Sequence, residues 1–133
     1  MAIDLADLVR RYNAACSTAG VDEVMAFFTD DAVIYDLNHP PVVGRRQIGW
    51  FWDRIREKWG GAVWETDSVV ADGSVAAAEW TMRGVADGEP FTFRGVDVFH
   101  ADPDGRFTEI RQYWRFDPTA MTSGLVGFPY PDA

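Results

Sequence analysis

Three short turn signals divide the second half of this chain: Asp72-Gly73, Asp87-Gly88 and Pro103-Asp104-Gly105. Between them lie β-branched, aromatic and alternating segments at 63–70, 74–85, 91–101 and 106–116. Strands this close together, joined by Gly-containing turns, have no length for crossover helices and must run as an antiparallel meander. The first half has a different period. Leu5, Leu8, Val9, Tyr12 and Cys16 share one helical face over 4–18, with Gly20 as the stop. A second, short helix is expected over 21–28 with Val24, Phe27 and Phe28 inward, then a brief strand over 32–36. The segment 37–44, with two prolines and His39, reads as a loop. Helical spacing returns over 47–59 through Ile48, Phe51, Trp52 and Ile55, and Gly60-Gly61 ends it. Helices first and a meander after predict an α+β domain in which helices pack on one face of a curved, mainly antiparallel sheet. The 133 residues suit one domain, with 118–133 as a C-terminal tail.

Asp97 is the residue that least fits its place. It lies within Phe91-Thr92-Phe93-Arg94-Gly95-Val96-Asp97-Val98-Phe99, a strand pattern that shows one face as Phe91, Phe93, Gly95 and Phe99. A carboxylate among rings is costly to desolvate, so the group is expected to keep its proton. A neutral acid near pH 7 is a hydrogen-bond donor, suited to a developing oxyanion.

Composition narrows the partners. Six Trp, four Tyr and nine Phe give nineteen rings, more than a core of this size needs, and a lined apolar cavity would use the surplus. A net charge of −9 with no basic stripe argues against nucleic acid and anionic membrane surfaces. No apolar stretch approaches spanning length, the N-terminal residues lack a signal-peptide pattern, and Cys16 alone forms no internal disulfide, so a cytoplasmic location is expected. Cys16, on an apolar helical face, reads as a structural thiol. His39 and His100 lack metal-ligand spacing, and neither a phosphate-binding glycine loop nor a Gly-x-Ser-x-Gly elbow occurs; no metal and no cofactor are expected.

The segments Phe27-Phe28-Thr29-Asp30-Asp31-Ala32-Val33, Gly44 to Ile48, Phe93 to Phe99 and Gly105 to Ile110 resemble the nuclear-transport-factor-2-like, or SnoaL-like, superfamily over residues 5–117. The resemblance implies a cystatin-like cone of helices closed by a strongly bent sheet around an apolar pocket. In functional positions the chain is most similar to Δ5-3-ketosteroid isomerase, through Arg11-Tyr12-Asn13, Val33-Ile34-Tyr35-Asp36 and Gly95-Val96-Asp97-Val98-Phe99. That similarity implies Asp36 as general base and Tyr12 with neutral Asp97 as oxyanion donors, a logic for which that isomerase is itself the standard example. The activity implied is movement of a double bond in an apolar, steroid-like or polyketide-like carbonyl compound. A polyketide cyclase, a dehydratase, an epoxide hydrolase and a non-catalytic binding or dimerisation module are the alternatives. A homodimer is also implied, through the sheet face carrying Arg94, Val96, Val98, His100, Glu109, Arg111, Tyr113 and Arg115.

Alternation that turns Trp80 and Trp114 inward with Asp97 also turns in Met82, Gly84, Ile110 and Gln112. Trp52, Trp80, Met82, Phe99, Gln112 and Trp114 are therefore the expected ligand-contacting residues. Two departures from the isomerases are visible: Phe28 and Trp52 stand where further tyrosines are usual, and Leu37 rather than Pro follows Asp36. Taken singly, Tyr12 also fits a core tyrosine, Asp36 a turn residue, Asp97 an ion-pair partner and His39 a pocket-rim residue.

Overall fold

The computed structural model of the chain describes residues 3–114, together with Pro129 and Pro131. Residues 115 and 116, expected to end the last strand, and the tail expected over 118–133 lie outside the described residues apart from those two prolines. Helices α1 (Leu5–Thr18), α2 (Val21–Met25) and α3 (Arg45–Lys58) pack on a curved sheet of β1 (Phe28–Asp36), β2 (His39–Val43), β3 (Val63–Asp72), β4 (Val75–Ala86), β5 (Glu89–Ala101) and β6 (Phe107–Trp114).

Helix α1 starts where Asp4 caps it, its side chain accepting from the Asp7 amide at 3.0 Å. Its apolar stripe, Leu5, Leu8, Val9, Tyr12 and Cys16, is buried. Two polar bonds fix it on β3: Asn13 Nδ2 donates to Thr66 Oγ1 at 2.8 Å, and the Trp64 amide donates to Ser17 Oγ at 2.9 Å. Helix α3 ends as its sequence predicts. Gly60 and Gly61 adopt positive φ, and the Gly61 amide returns to the Arg56 carbonyl at 2.9 Å.

The sheet order is β2-β1-β6-β5-β4-β3. Strands β3 to β6 form the expected meander, with Asp87 and Gly88 both at positive φ in the β4–β5 turn. The pairing of β1 with β6 is parallel, so the sheet is mixed.

Two expectations are corrected. The segment 37–44 is not simply a loop, because His39–Val43 pairs with β1. Its prolines are tolerated because β2 is an edge strand, with no ladder required on its outer side. The second helix stops at Met25, and Phe28 already belongs to β1, whose ladder begins at Phe28↔Phe107. That long-range pairing overrides the helical spacing of Phe27 and Phe28.

Candidate active site

Across β4, β5 and β6 the register makes two rows. Trp80, Gly95 and Trp114 lie side by side, and next to them Ala78, Asp97 and Gln112. Gly95 is the gap in the first row: a Cβ there would lie 2.5 Å from Trp80 Cζ2 and 2.9 Å from Trp114 Cβ, so the Trp80 indole lies over bare backbone beside the Trp114 Cβ. The Trp80 indole then reaches along the sheet, and its Nε1 donates to Asp97 Oδ1 at 2.8 Å. Gln112 Nε2 donates to Asp97 Oδ2 at 3.4 Å. Asp97 is only 3% exposed, and neither of these two partners is an arginine. Burial pushes its carboxyl up to about 7; the Trp80 and Gln112 bonds oppose that rise, and the nearby Asp36 charge adds to it. Arg94 sits on the exposed face of an unbroken β4–β5 ladder, so no bulge at Gly95 brings it round to Asp97.

Asp36 closes β1 opposite Gln112 of β6. Its Oδ1 accepts from the Asn38 amide at 2.7 Å and from Asn38 Nδ2 at 3.2 Å, while Oδ2 accepts from Trp114 Nε1 at 2.9 Å. One Asp36 oxygen thus organises the turn, as the turn-residue reading expects, and the other accepts from an indole of the cavity wall.

Between α3 and the sheet lies an apolar cavity of about 30 Å3, walled by Asp36, Phe51, Trp52, Ile55, Trp59, Trp64, Trp80, Met82, Gln112 and Trp114. That is room for on the order of one water molecule. Of the expected ligand-contacting residues, Trp52, Trp80, Met82, Gln112 and Trp114 are in this wall. Phe99 is not; it is fully buried beside Tyr12, at 5.9 Å between ring centroids. Asp97 stands one layer behind the wall, on the far side of its bonds to Trp80 and Gln112.

Tyr12 also lies behind the wall, ringed edge-on by Phe27, Phe28, Trp52, Phe99 and Phe107. Burial raises its phenol well above the ordinary range, and Cys16 and the Asp97 charge push the same way. Neither Tyr12 Oη nor Trp52 Nε1 meets hydrogen-bond geometry with any partner, although both are buried. The Tyr12 hydroxyl instead has looser polar interactions with the Cys16 thiol and the Trp52 indole, whose ring lies 6.4 Å away by centroid.

Phe51, Ile55, Trp59 and Trp64 complete the wall beyond the expected ligand contacts. Trp64 has a readable signal, since it alternates inward on β3 and pairs with Met82. Trp59 does not, because it ends α3 and its direction depends on the Gly60-Gly61 turn. His39 is exposed, stacks edge-on against Phe51 at 5.5 Å and faces a separate outer groove. Among the described residues no cluster of His, Cys, Asp and Glu could hold a metal ion, and no helix is long and apolar enough to cross a membrane.

The fold is that of several solved proteins. A protein of ketosteroid isomerase-like fold from Catenulispora acidiphila, in complex with trimethylamine, superposes with a TM-score of 0.78 at 18% identity, covering 94% of this chain and 98% of that one. A candidate polyketide cyclase from Xanthomonas campestris pv. campestris gives 0.74 at 22% identity, over 84% and 90% of the two chains. SalBIII, an epoxide hydrolase/cyclase-like enzyme of pyran ring formation in the polyether salinomycin, gives 0.74 at 19% identity, over 84% and 91%. At these identities the likeness is one of fold. No curated protein matches the chain in sequence. The SnoaL-like domain model matches residues 9–110, most of the chain, and the chain belongs to that family.

Proposed function

We propose that this single-domain chain is a ketosteroid-isomerase-like enzyme acting on a small apolar carbonyl compound. Asp36 takes a proton from the carbon α to the carbonyl and returns it further along the chain of conjugation. The dienolate oxygen is stabilised by the O–H groups of Tyr12 and neutral Asp97. The observation that carries the reading is the contrast between two neighbouring carboxyl groups. Asp36, half-buried in the cavity wall, is surrounded by N–H donors, whereas Asp97 is sequestered and pushed up to about 7. The buried Tyr12 hydroxyl, which falls short of a full hydrogen bond with Cys16 or Trp52, supports it as a second O–H donor.

The size of the cavity limits the substrate. A fused-ring ligand enters only if wall side chains move, and the oxygen reaches Tyr12 and Asp97 only if Trp80 and Gln112 yield. The test is therefore run with 5-androstene-3,17-dione and with the smaller 3-cyclohexenone, following conjugated-enone absorbance. Asp36→Asn is expected to lower turnover by about 10²–10⁴-fold, the usual range for loss of a general base. Turnover unchanged in that variant would remove Asp36 from the mechanism.

A second reading is a binding module without turnover, or a cyclase using the same groups. It is favoured by the small cavity, and by neighbours of which one holds trimethylamine and another acts in pyran ring formation. Either reading includes a homodimer through the outer sheet face, supported by the exposed Val96 and Tyr113, and a cytoplasmic location.

A further inference from the structure

Among the described residues six rings line the cavity, those of Phe51, Trp52, Trp59, Trp64, Trp80 and Trp114, and the charge-bearing group in its described wall is an acid, Asp36. A second acid, Asp97, touches two wall residues from behind. No Lys, Arg or His is among the described residues of the wall. An apolar site built this way repels anions, and a nearby described cation is Lys58, whose Nζ lies 5.4 Å from the Trp59 ring centroid but is not part of the wall.

The hydrogen bonds narrow the choice of cation. Trp114 donates its indole N–H to Asp36 at 2.9 Å and Trp80 donates to Asp97 at 2.8 Å. Each bond fixes an indole at the cavity and leaves its ring more electron-rich, which strengthens attraction for positive charge. At Asp36 the Trp114 bond and the two from Asn38 fill three of about four acceptor sites and leave one. A primary ammonium carries three N–H groups that need acceptors, and a hard metal ion needs several oxygens. Neither demand is met. A methylated ammonium demands only a negative field and ring contact, because its charge is spread over C–H groups.

We propose that this cavity is a binding site for a small methylated ammonium, held by the indole cage and the negative field of Asp36. This goes beyond the isomerase reading and does not depend on turnover. The occupant belongs at the small end of the class, since the cavity of about 30 Å3 must widen to admit even a few methyl groups. Met82, an unbranched thioether in the wall, is the side chain best able to give way.

The test compares choline with its neutral isostere 3,3-dimethyl-1-butanol, at constant ionic strength held with sodium chloride. The readout is the set of six indole N–H resonances in the ¹⁵N-labelled protein. Expected is a saturable shift of the Trp52, Trp80 and Trp114 signals with choline, and none at Trp50, which is 50% exposed and lies outside the cavity. Choline should bind at least about tenfold more tightly than the isostere, the scale of a desolvated cation–π contact. Asp36→Asn should weaken choline severalfold and leave the isostere unchanged. Equal binding of the two ligands, shifts spread equally to Trp50, or no saturable shift with choline in the folded wild-type protein would each overturn the proposal.

Discussion

Replacing Asp97 by asparagine leaves the shape of the second row almost unchanged and removes its one titration. The wild-type group rises from 3.8 in the open chain to about 7 when buried. Folded protein therefore keeps a proton that the unfolded chain has already released. The stability this contributes is present in full below about pH 4, and is lost as pH rises through about 7. A shift of that size corresponds to roughly 4 kcal/mol in total, of which roughly 2–3 kcal/mol disappears between pH 5 and pH 8. The substituted amide would keep an oxygen for the Trp80 indole, and Gln112 can turn its own amide oxygen toward the new N–H groups. The Asp97→Asn variant should thus lack the slope while folding normally. Urea denaturation followed by tryptophan fluorescence, repeated from pH 5 to pH 8 on both proteins, gives the difference directly, because the other titrating groups cancel. Wild-type stability should fall relative to the variant by the stated amount, so that the variant gains ground with rising pH. Parallel stability profiles would mean that Asp97 is ionised throughout, and would take away the neutral donor on which the oxyanion reading depends.

Gly95→Ala tests the closure of the Trp80 indole over bare backbone. Its Cβ would meet Trp80 Cζ2 at 2.5 Å and the Tyr113 carbonyl oxygen at 2.9 Å, so Trp80 must shift at a cost of about 1–3 kcal/mol, seen as a lowered Tm with changed tryptophan fluorescence. A Tm indistinguishable from that of the wild type would mean that the row is looser than described. Cys16, 1% exposed and with its thiol pushed up by burial, should resist a chromogenic disulfide reagent in native buffer and react only as urea unfolds the protein. Prompt reaction of the native protein would contradict that placement.

Asp97 was legible in the sequence because alternation is a local rule: its face on β5 follows from Phe93 and Phe99, and burial follows from the face. The same rule put Trp80, Met82, Gln112 and Trp114 on one side, and all four line the cavity. Depth was not legible. Whether Asp97 opens onto the cavity or lies behind it depends on how the Trp80 and Gln112 side chains turn, which register alone does not determine. The strand over His39–Val43 was hidden by Pro40 and Pro41, which signal a loop everywhere except at a sheet edge. Trp59 and Phe51 reached the wall through the packing of α3 on the sheet, a relation between segments far apart in the chain. The parallel pairing of β1 with β6 likewise leaves no mark on either strand taken alone.

That pairing has a consequence for how the protein comes into being. The bond between Asp36 and Trp114 spans 78 residues, and the strand that carries Trp114 is the last of the six described strands to be made. During synthesis the helices, the β1–β2 pair and the β3–β5 meander can form from contacts nearby in the chain, but β1 and β2 join the meander in one sheet only through β6. The wall of the cavity is finished by that same late event. A nascent chain halted before β6 would hold Asp36 and the aromatic surfaces of α3 and β4 open to solvent, exposing a surface that invites chaperones or aggregation. The Asp36–Trp114 bond is thus a clasp between the first strand and the last described one, and it closes the cavity wall.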